Sequence, residues 1–179
     1  MSIAVALPNE PGPPRAAAFV ADAAGLARIR SRELSIVIWP RAAANPLATL
    51  LARLDPTPIG RVRIEAPLAD LAAALTAALA APHLEPLRED ALAGAACLAR
   101  IAGAAALRLL CTYLGPGTEW LPDPAEPRTI HAVPTLAMAL LKGRAAADGA
   151  ACIHRSPPIA GRGVRRLLLA VDPLPPSGG

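Results

Sequence analysis

The segment CTYLGPGTEW at 111–120 concentrates side chains that could form a site. The chain has only four aromatic residues, and two of them, Tyr113 and Trp120, lie in this segment. Between them is a Gly-Pro-Gly turn, in which glycine tolerates positive φ and proline fixes its own φ. The carboxylate of Glu119, just after the turn, could face a site. It could equally be a solvated turn residue beside an anchoring tryptophan, and both interpretations stay open at this point.

The segment IHRSPP at 153–158 supplies a candidate base or metal ligand. His154 follows an apolar run and precedes a hydroxyl and two prolines. An imidazole in this position can bind a metal or act as a base, although a lone histidine is more often a hydrogen-bonded structural group. Cys152 alternates with His154 and so faces the same side of a strand, but with Cys97 or Cys111 the spacing matches no standard zinc finger. We interpret the three cysteines as small buried hydrophobes.

Composition excludes several classes of function. Of the 18 basic residues only Lys142 is a lysine, and the arginines are scattered without interleaved aromatics, so we expect no nucleic-acid binding. The longest apolar stretch, 67–81, is too short for a membrane span and is interrupted by Asp70. No secretion signal and no C-x-x-C pair occur, which favours a cytoplasmic protein. There is no nucleophile elbow, H-E-x-x-H motif or phosphate-binding glycine loop.

The two halves of the chain differ in their predicted elements. In the first half, 15–31 has helical composition and LSIVIW at 34–39 predicts a strand that ends at Pro40. Helices are predicted at 45–55, with Asn45 as the N-cap, and at roughly 67–81. The second half holds short apolar runs between Pro/Gly-rich turns. We predict strands there, each with one buried residue: 107–113 (Leu109), 136–142 (Leu140), 151–154 (Ile153) and 165–171 (Leu168).

These elements predict an α+β protein whose C-terminal half is a jelly-roll-like sandwich, the double-stranded β-helix, with the N-terminal helices packed outside. The alanine-rich stretch 89–105 is compatible with helix or strand. We predict a single domain over 15–172, helical and strand-containing over 15–82 and β-rich over 83–172. The Pro-rich residues 1–14 and the tail 173–179 are expected to be flexible.

Four ordered motifs in the second half carry a resemblance to a known family. CTYLGPGTEWLP, ALLKG at 139–143, HRSPP at 154–158 and RLLLAVD at 166–172 resemble the bacterial domain-of-unknown-function family 1826. IVIWPR at 36–41 is similar to that family's N-terminal strand motif. The resemblance implies no established reaction, but it implies a connection with zinc homeostasis, because genes of this family lie near zinc-uptake and zinc-chaperone genes.

The resemblance also implies a metal site that this sequence lacks in part. Family members carry a Cys-x-x-Phe-His-x-Asp stretch before the Thr-Tyr motif. We interpret its His-x-Asp, with the histidine of HRSPP, as similar to the facial triad of non-haem iron proteins. Here Cys97 is kept, but Ile101 and Gly103 stand where the early histidine and aspartate would be. Of the three ligands only His154 remains, with Glu119 and His131 as conceivable substitutes.

Three functions follow as hypotheses. The leading one is a degenerate, non-catalytic binding or accessory member of this family, whose metal binding the resemblance implies. It would have no cofactor, be connected with metal homeostasis and bind a small carboxylate or phosphate. The alternative is a metal-dependent enzyme similar to the 2-oxoglutarate oxygenases, with Fe or Zn on His154 and an arginine for the cosubstrate. The third is a structural interaction module. The candidate pocket residues are Tyr113, Glu119, Trp120, Lys142, His154, Arg155, Ser156, Arg165 and Arg166.

Overall fold

Nine strands and three α-helices make up the described part of the chain, which in this computed structural model comprises residues 17–54, 60–101, 106–121, 129–143 and 151–175. The strands are β1 (Ala17–Phe19), β2 (Ile36–Trp39), β3 (Gly60–Pro67), β4 (Leu107–Leu114), β5 (Glu119–Leu121), β6 (His131–Ala132), β7 (Met138–Lys142), β8 (Ile153–Arg155) and β9 (Leu167–Leu174). The helices are α1 (Asn45–Arg53), α2 (Leu71–Ala78) and α3 (Glu85–Ala99), and two 3-10 helices span Ala24–Arg30 and Pro82–Leu84.

Six of the strands form one mixed sheet in the order β1-β2-β7-β4-β9-β3. Its centre is antiparallel, and each edge is a parallel pair, β1 with β2 and β3 with β9. The remaining strands form a small antiparallel sheet in the order β6-β5-β8. The α+β class is therefore confirmed, whereas the jelly-roll arrangement of the C-terminal strands is not.

The large sheet is covered on both faces because its central strands are apolar on both sides. Along β4, Leu109 and Cys111 face the helices, while Leu110 faces the small sheet. The core on the helix side includes Leu75, Leu87, Leu98, Met138, Leu140, Leu169 and Val171. The core on the other side includes Ile36, Ile38, Trp120, Ala139, Leu141, Leu168 and Ala170. The molecule thus has three layers, with the helices, the large sheet and the small sheet stacked in that order.

Most of the predicted elements are present, with some corrections. The strand of the LSIVIW segment, α1, α2 and the four C-terminal strands are confirmed, and 89–105 is helical as far as Ala99. The helix predicted over 15–31 is wrong, because 17–19 pair with β2 as a strand and only 24–30 are helical, as a 3-10 helix. Asn45 is the first helical residue, preceded by Ala44 as the N-cap.

The burial of one predicted core residue is also wrong. Leu109, Leu140 and Leu168 are buried, but Ile153 is 46% exposed because it faces outward from the small sheet. The stretch 1–14 lies outside the described residues, as do 176–179, and β9 continues through Pro173 and Leu174 of the predicted tail. No helix among the described residues has the length and apolar character that a membrane crossing needs.

Candidate functional site

The guanidinium of Arg166 joins three of the segments that carry the family resemblance. Its Nε donates to the carbonyl oxygen of Pro116 (2.9 Å), and Nη2 donates to the hydroxyls of Thr112 (3.3 Å) and Thr118 (3.0 Å). Nη1 donates to Ser156 Oγ at 3.3 Å. Arg166 is 3% exposed, so this charge is buried among neutral acceptors, as far as the described residues show. Burial lowers the pKa of Arg166, and the nearby charge of Arg61 lowers it further.

The Gly-Pro-Gly turn is a point of close backbone contact. A Cβ on Gly117 would lie 1.6 Å from the carbonyl oxygen of Val133, and a Cβ on Gly115 would lie 2.0 Å from that of Arg165. Gly115 also has a φ of +76°, which glycine adopts without steric cost. Since larger residues would separate the turn from these neighbours, Gly115 allows the turn to lie against the start of β9, and Gly117 allows it to lie against the segment after β6.

Both ring nitrogens of His154 are engaged. Nδ1 lies 2.9 Å from the carbonyl oxygen of Cys152, which can only accept, so Nδ1 carries the proton. Nε2 lies 3.0 Å from Nη1 of Arg108, which can only donate, so the Nε2 lone pair accepts that hydrogen bond. A metal ligand or a general base needs a free lone pair. The arrangement therefore uses His154 to orient Arg108.

Asp172 holds Arg108 from the other side. Its two carboxylate oxygens accept from Nε and Nη2 of Arg108, the second at 3.1 Å. Arg63 Nε also donates to Asp172 at 3.0 Å. Burial alone would raise the pKa of Asp172, but the hydrogen bonds from the two arginines outweigh it and hold the pKa below its usual value. The carboxylate is therefore ionised at neutral pH and fixes the plane of the guanidinium.

Arg108, His154 and Asp172 line a cleft of about 440 Å³, which we call the Arg108 cleft. Its walls come from the start of β4, the end of β7, β8 and the end of β9, with Lys142 also among the lining residues. The volume is in the range of small-molecule sites. Arginine has five N–H groups, and Asp172 and His154 occupy three of them on Arg108. One N–H on each terminal nitrogen has no partner within the described ranges, and such a pair suits a carboxylate or phosphate.

The other predicted pocket residues are divided among several places. Trp120 is buried between the two sheets, opposite His154 in the register of the small sheet, and stacks on His131 with 5.1 Å between ring centroids. Glu119 and Arg155 face outward and form a 2.7 Å ion pair. The set does not meet in one cavity.

Of three more predicted residues, only Lys142 lines the same cleft as His154. Lys142 is 2% exposed and its Nζ donates to the carbonyl oxygen of Ser31 at 2.8 Å. Arg165 is exposed, and Ser156 Oγ accepts a hydrogen bond from Arg166 Nη1. His154 and Lys142 line the Arg108 cleft, and Ser156 and Arg166 form the neighbouring contact.

Tyr113 lies on the helix face, in a polar network that sequence analysis missed. Its hydroxyl donates to Asp90 Oδ2 at 2.7 Å, and both oxygens of Asp90 accept from Arg41, the second at 2.7 Å. Arg41 also contacts Cys111 Sγ at 3.3 Å. Burial raises the pKa of Cys111 to about 11 and raises that of Tyr113 well above its usual value. These groups are therefore protonated at neutral pH and tie α3 to β4 and to the segment after β2.

The cysteines do not gather into a metal site. All three are free and buried, Cys97 on α3, Cys111 on the helix face of the large sheet and Cys152 on the opposite face. Burial raises the pKa of Cys152 to about 12. Ile101, where the resemblance implies an early ligand, is buried, and 102–105 lie outside the described residues. Across the described ranges, no three His, Cys, Asp or Glu side chains are grouped so as to hold a metal.

Sequence analysis also missed Arg108, Asp172 and Arg63, although two of them carry a readable signal. Arg108 occupies an alternate position of an apolar strand, on the same face as Leu110 and Thr112. Asp172 lies on the neighbouring strand β9, two residues after Ala170 and four after Leu168, and so faces the same side of the sheet as they do. Arg108 and Asp172 have opposite charges and lie on the same face of the sheet, so they predict an ion pair once β4 and β9 are known to be neighbouring strands. The sequence does not show that β4 and β9 are neighbours.

Comparison with known families finds a match over part of the chain. Residues 87–172 match the model of a family described as Protein of unknown function (DUF1826). The match includes all four C-terminal motifs, and IVIWPR lies outside it. Neither the curated proteins nor the solved structures contain a match to the chain.

Proposed function

Residues 87–172 belong to the family described as Protein of unknown function (DUF1826), and from this premise we propose that the chain is a non-catalytic binding protein for a small anion. The ligand is a carboxylate or phosphate, held in the Arg108 cleft. The family description names no activity, so the proposal is supported by the geometry of the cleft.

The proposal rests on the hydrogen bonding of the Arg108 guanidinium. Asp172 and His154 fix this guanidinium from two sides and leave one N–H on each terminal nitrogen without a described partner, beside an open cleft. A guanidinium already held in place loses little side-chain entropy on binding, which favours a bidentate anion contact. Arg63 shares Asp172 with Arg108 and also pairs with Glu65, so two carboxylates face the two arginines.

The non-catalytic character is supported by His154. In a working family-type site its imidazole would bind metal or move a proton, and either role needs the Nε2 lone pair that accepts from Arg108 here. With Ile101 and Gly103 at the early ligand positions that the resemblance implies, His154 alone is left of the three family-type ligands. The connection with zinc homeostasis that the resemblance implies enters the proposal as an accessory role, in which the protein binds an anion rather than the metal.

Calorimetric titration with inorganic phosphate, succinate and 2-oxoglutarate tests the proposal. We expect at least one of these anions to bind, and Arg108→Gln to weaken it about ten-fold or more, because two charge-assisted hydrogen bonds are lost. Arg108→Lys keeps the positive charge but lacks the paired N–H donors of a guanidinium, so this variant should bind the anion with intermediate affinity. The matched control is Arg162→Gln, which removes the same charge from an exposed residue outside the cleft. Equal binding by wild type and Arg108→Gln would overturn the proposal.

Elemental analysis decides between this function and the enzyme alternative. Protein purified without chelators or affinity tags should carry no stoichiometric iron or zinc. Stoichiometric metal that survives dialysis and is lost in His154→Ala would support the metal-dependent enzyme, because it would show that His154 exchanges Arg108 for a metal. If neither metal nor any of the three anions binds, the structural interaction module becomes the leading function.

A further inference from the structure

Strand β3 is a long edge strand of the large sheet. All eight residues of Gly60–Pro67 pair with β9, and within the described ranges no strand lies along its other side. Such an edge presents a row of backbone N–H and C=O groups that can pair with another strand. Its only proline is the terminal residue, Pro67, so the remaining backbone donors are intact.

The side chains of β3 are complementary to those of a second β3 strand that runs antiparallel to it. Arg61, Arg63 and Glu65 are exposed on one face of the sheet, while Ile64 and Ala66 are buried on the helix face. In an antiparallel pair of β3 strands with a two-fold axis at Ile64, Arg63 of each copy lies opposite Glu65 of the other. On the helix face of the same pair, Ile64 lies opposite Ile64 and Val62 lies opposite Ala66.

The charges select this register. Moving the axis to Arg63 would keep the same faces aligned but would place Arg63 directly opposite Arg63 of the second copy, and like charges opposite each other are unfavourable. Arg63 and Glu65 form an ion pair within one strand, and their side chains are 45% and 49% exposed, so both are accessible at this edge of the sheet.

We propose that a second copy of this chain pairs along β3, antiparallel and centred on Ile64, so that the two six-stranded sheets become one. The two-fold symmetry is the commonest one for homo-oligomers. This inference does not depend on the proposed anion ligand.

Helix α2 is compatible with this interface. It packs against β3 and lies over that edge of the sheet. Its exposed residues are uncharged and small: Ala72, Ala73, Thr76, Ala77 and Ala78. Two α2 helices flanking the seam can therefore approach closely without burying an unpaired charge.

Sedimentation velocity of the whole chain over the micromolar range tests the proposal. We expect a monomer–dimer equilibrium in the wild type. Arg63→Glu and Glu65→Arg each place two like-charge pairs at the seam and should weaken self-association about ten-fold or more. An equimolar mixture of the two variants restores Glu opposite Arg at both positions, so the mixture should dimerise although each variant alone does not.

Two controls keep the outcome decisive. Arg162→Glu reverses an exposed charge outside β3 and should dimerise as the wild type does. Circular dichroism checks that Arg63→Glu remains folded despite losing its contact with Asp172, and Glu65→Arg alone serves if it does not. A wild type that is monomeric throughout, or a dimer that neither variant weakens, would overturn the interface. Anion titration of the wild-type protein reports separately on the Arg108 cleft, so failure of one proposal does not imply failure of the other.

Discussion

The side chains of Tyr113 and Trp120, which belong to one short segment, lie on opposite faces of the six-stranded sheet. Tyr113 lies on β4 two residues after Cys111, and its side chain faces the helices as that of Cys111 does. The chain then turns at Gly-Pro-Gly and enters the small sheet, where Trp120 lies on β5. The aromatic residues therefore anchor two different cores. The turn between them brings the chain from one layer to the other.

Removal of the Tyr113 hydroxyl should affect stability and leave the cleft unchanged. Tyr113→Phe loses the hydrogen bond to Asp90, and a buried hydrogen bond to a charged group stabilises a protein by about 1.5–3 kcal/mol. We expect a loss of that order in the free energy of unfolding, measured with urea, and unchanged anion affinity. A loss of anion affinity equal to that of Arg108→Gln would contradict the placement of Tyr113 on the helix face.

The glycines of the turn should tolerate no side chain. Gly117→Ala and Gly115→Ala each bring a Cβ to within 2.0 Å of a carbonyl oxygen, so backbone must move, and we expect about 3 kcal/mol or more of destabilisation. Gly161→Ala is the matched control for Gly115→Ala, since Gly161, like Gly115, has a positive φ (+73°) but no atom within 4 Å of the added Cβ. It should cost only about 1 kcal/mol. Thermal unfolding compares the three, and equal losses in Gly115→Ala and Gly161→Ala would show that the positive φ, rather than the close carbonyl oxygen, accounts for the effect at Gly115.

Arg166 should be required for the C-terminal half to fold stably. Arg166→Gln removes a charge and leaves buried hydroxyls of Thr112 and Thr118 without their donor, so about 3 kcal/mol of stability should be lost. Arg166→Lys should lose less, because it keeps a donor. Arg162→Gln, on an exposed residue, should change stability by no more than about 0.5 kcal/mol. If Arg166→Gln unfolds at the same urea concentration as wild type, the buried contact contributes nothing.

The pH dependence of stability should report on Asp172. Because its folded pKa is lowered, its contribution is complete above the unfolded value of about 3.9 and is lost as pH falls through the folded pKa. The difference in unfolding free energy between wild type and Asp172→Asn should therefore be constant from pH 5 to 7, by order of magnitude about 1–3 kcal/mol, and should shrink below about pH 4. A difference that grew on acidification would have the wrong sign for a carboxylate stabilised by arginines.

The cysteines should be unreactive in the folded protein. Burial raises the pKa of Cys111 to about 11 and that of Cys152 to about 12, so little thiolate exists near neutrality and access is blocked. Titration with a bulky thiol reagent should be slow for native protein, and all three thiols should react after denaturation. Rapid native labelling of all three thiols would show that the layers open readily.

Local sequence was sufficient for elements whose period and end signals agree. The β-branched run of β2 before Pro40, the helix α1 and the short apolar runs of the second half are all present. Local sequence was misleading where pairing between strands overrides the helix propensity of the residues. The alanines at 17 and 18 are helix formers, yet they form a strand because β2 offers a parallel partner. Ile153 looked like a core residue, but the small sheet has a solvent-facing side and Ile153 lies on it.

The sequence by itself determined the class of the fold and the family resemblance, because these depend on residue type and local order. Only the tertiary structure decided which face each side chain occupies and which strands are neighbours. Arg108 lies between His154 and Asp172 because β4 pairs with β9 while β8 belongs to the small sheet above them. Such pairings join residues 46 and 64 positions apart, and no local propensity encodes contacts at that distance.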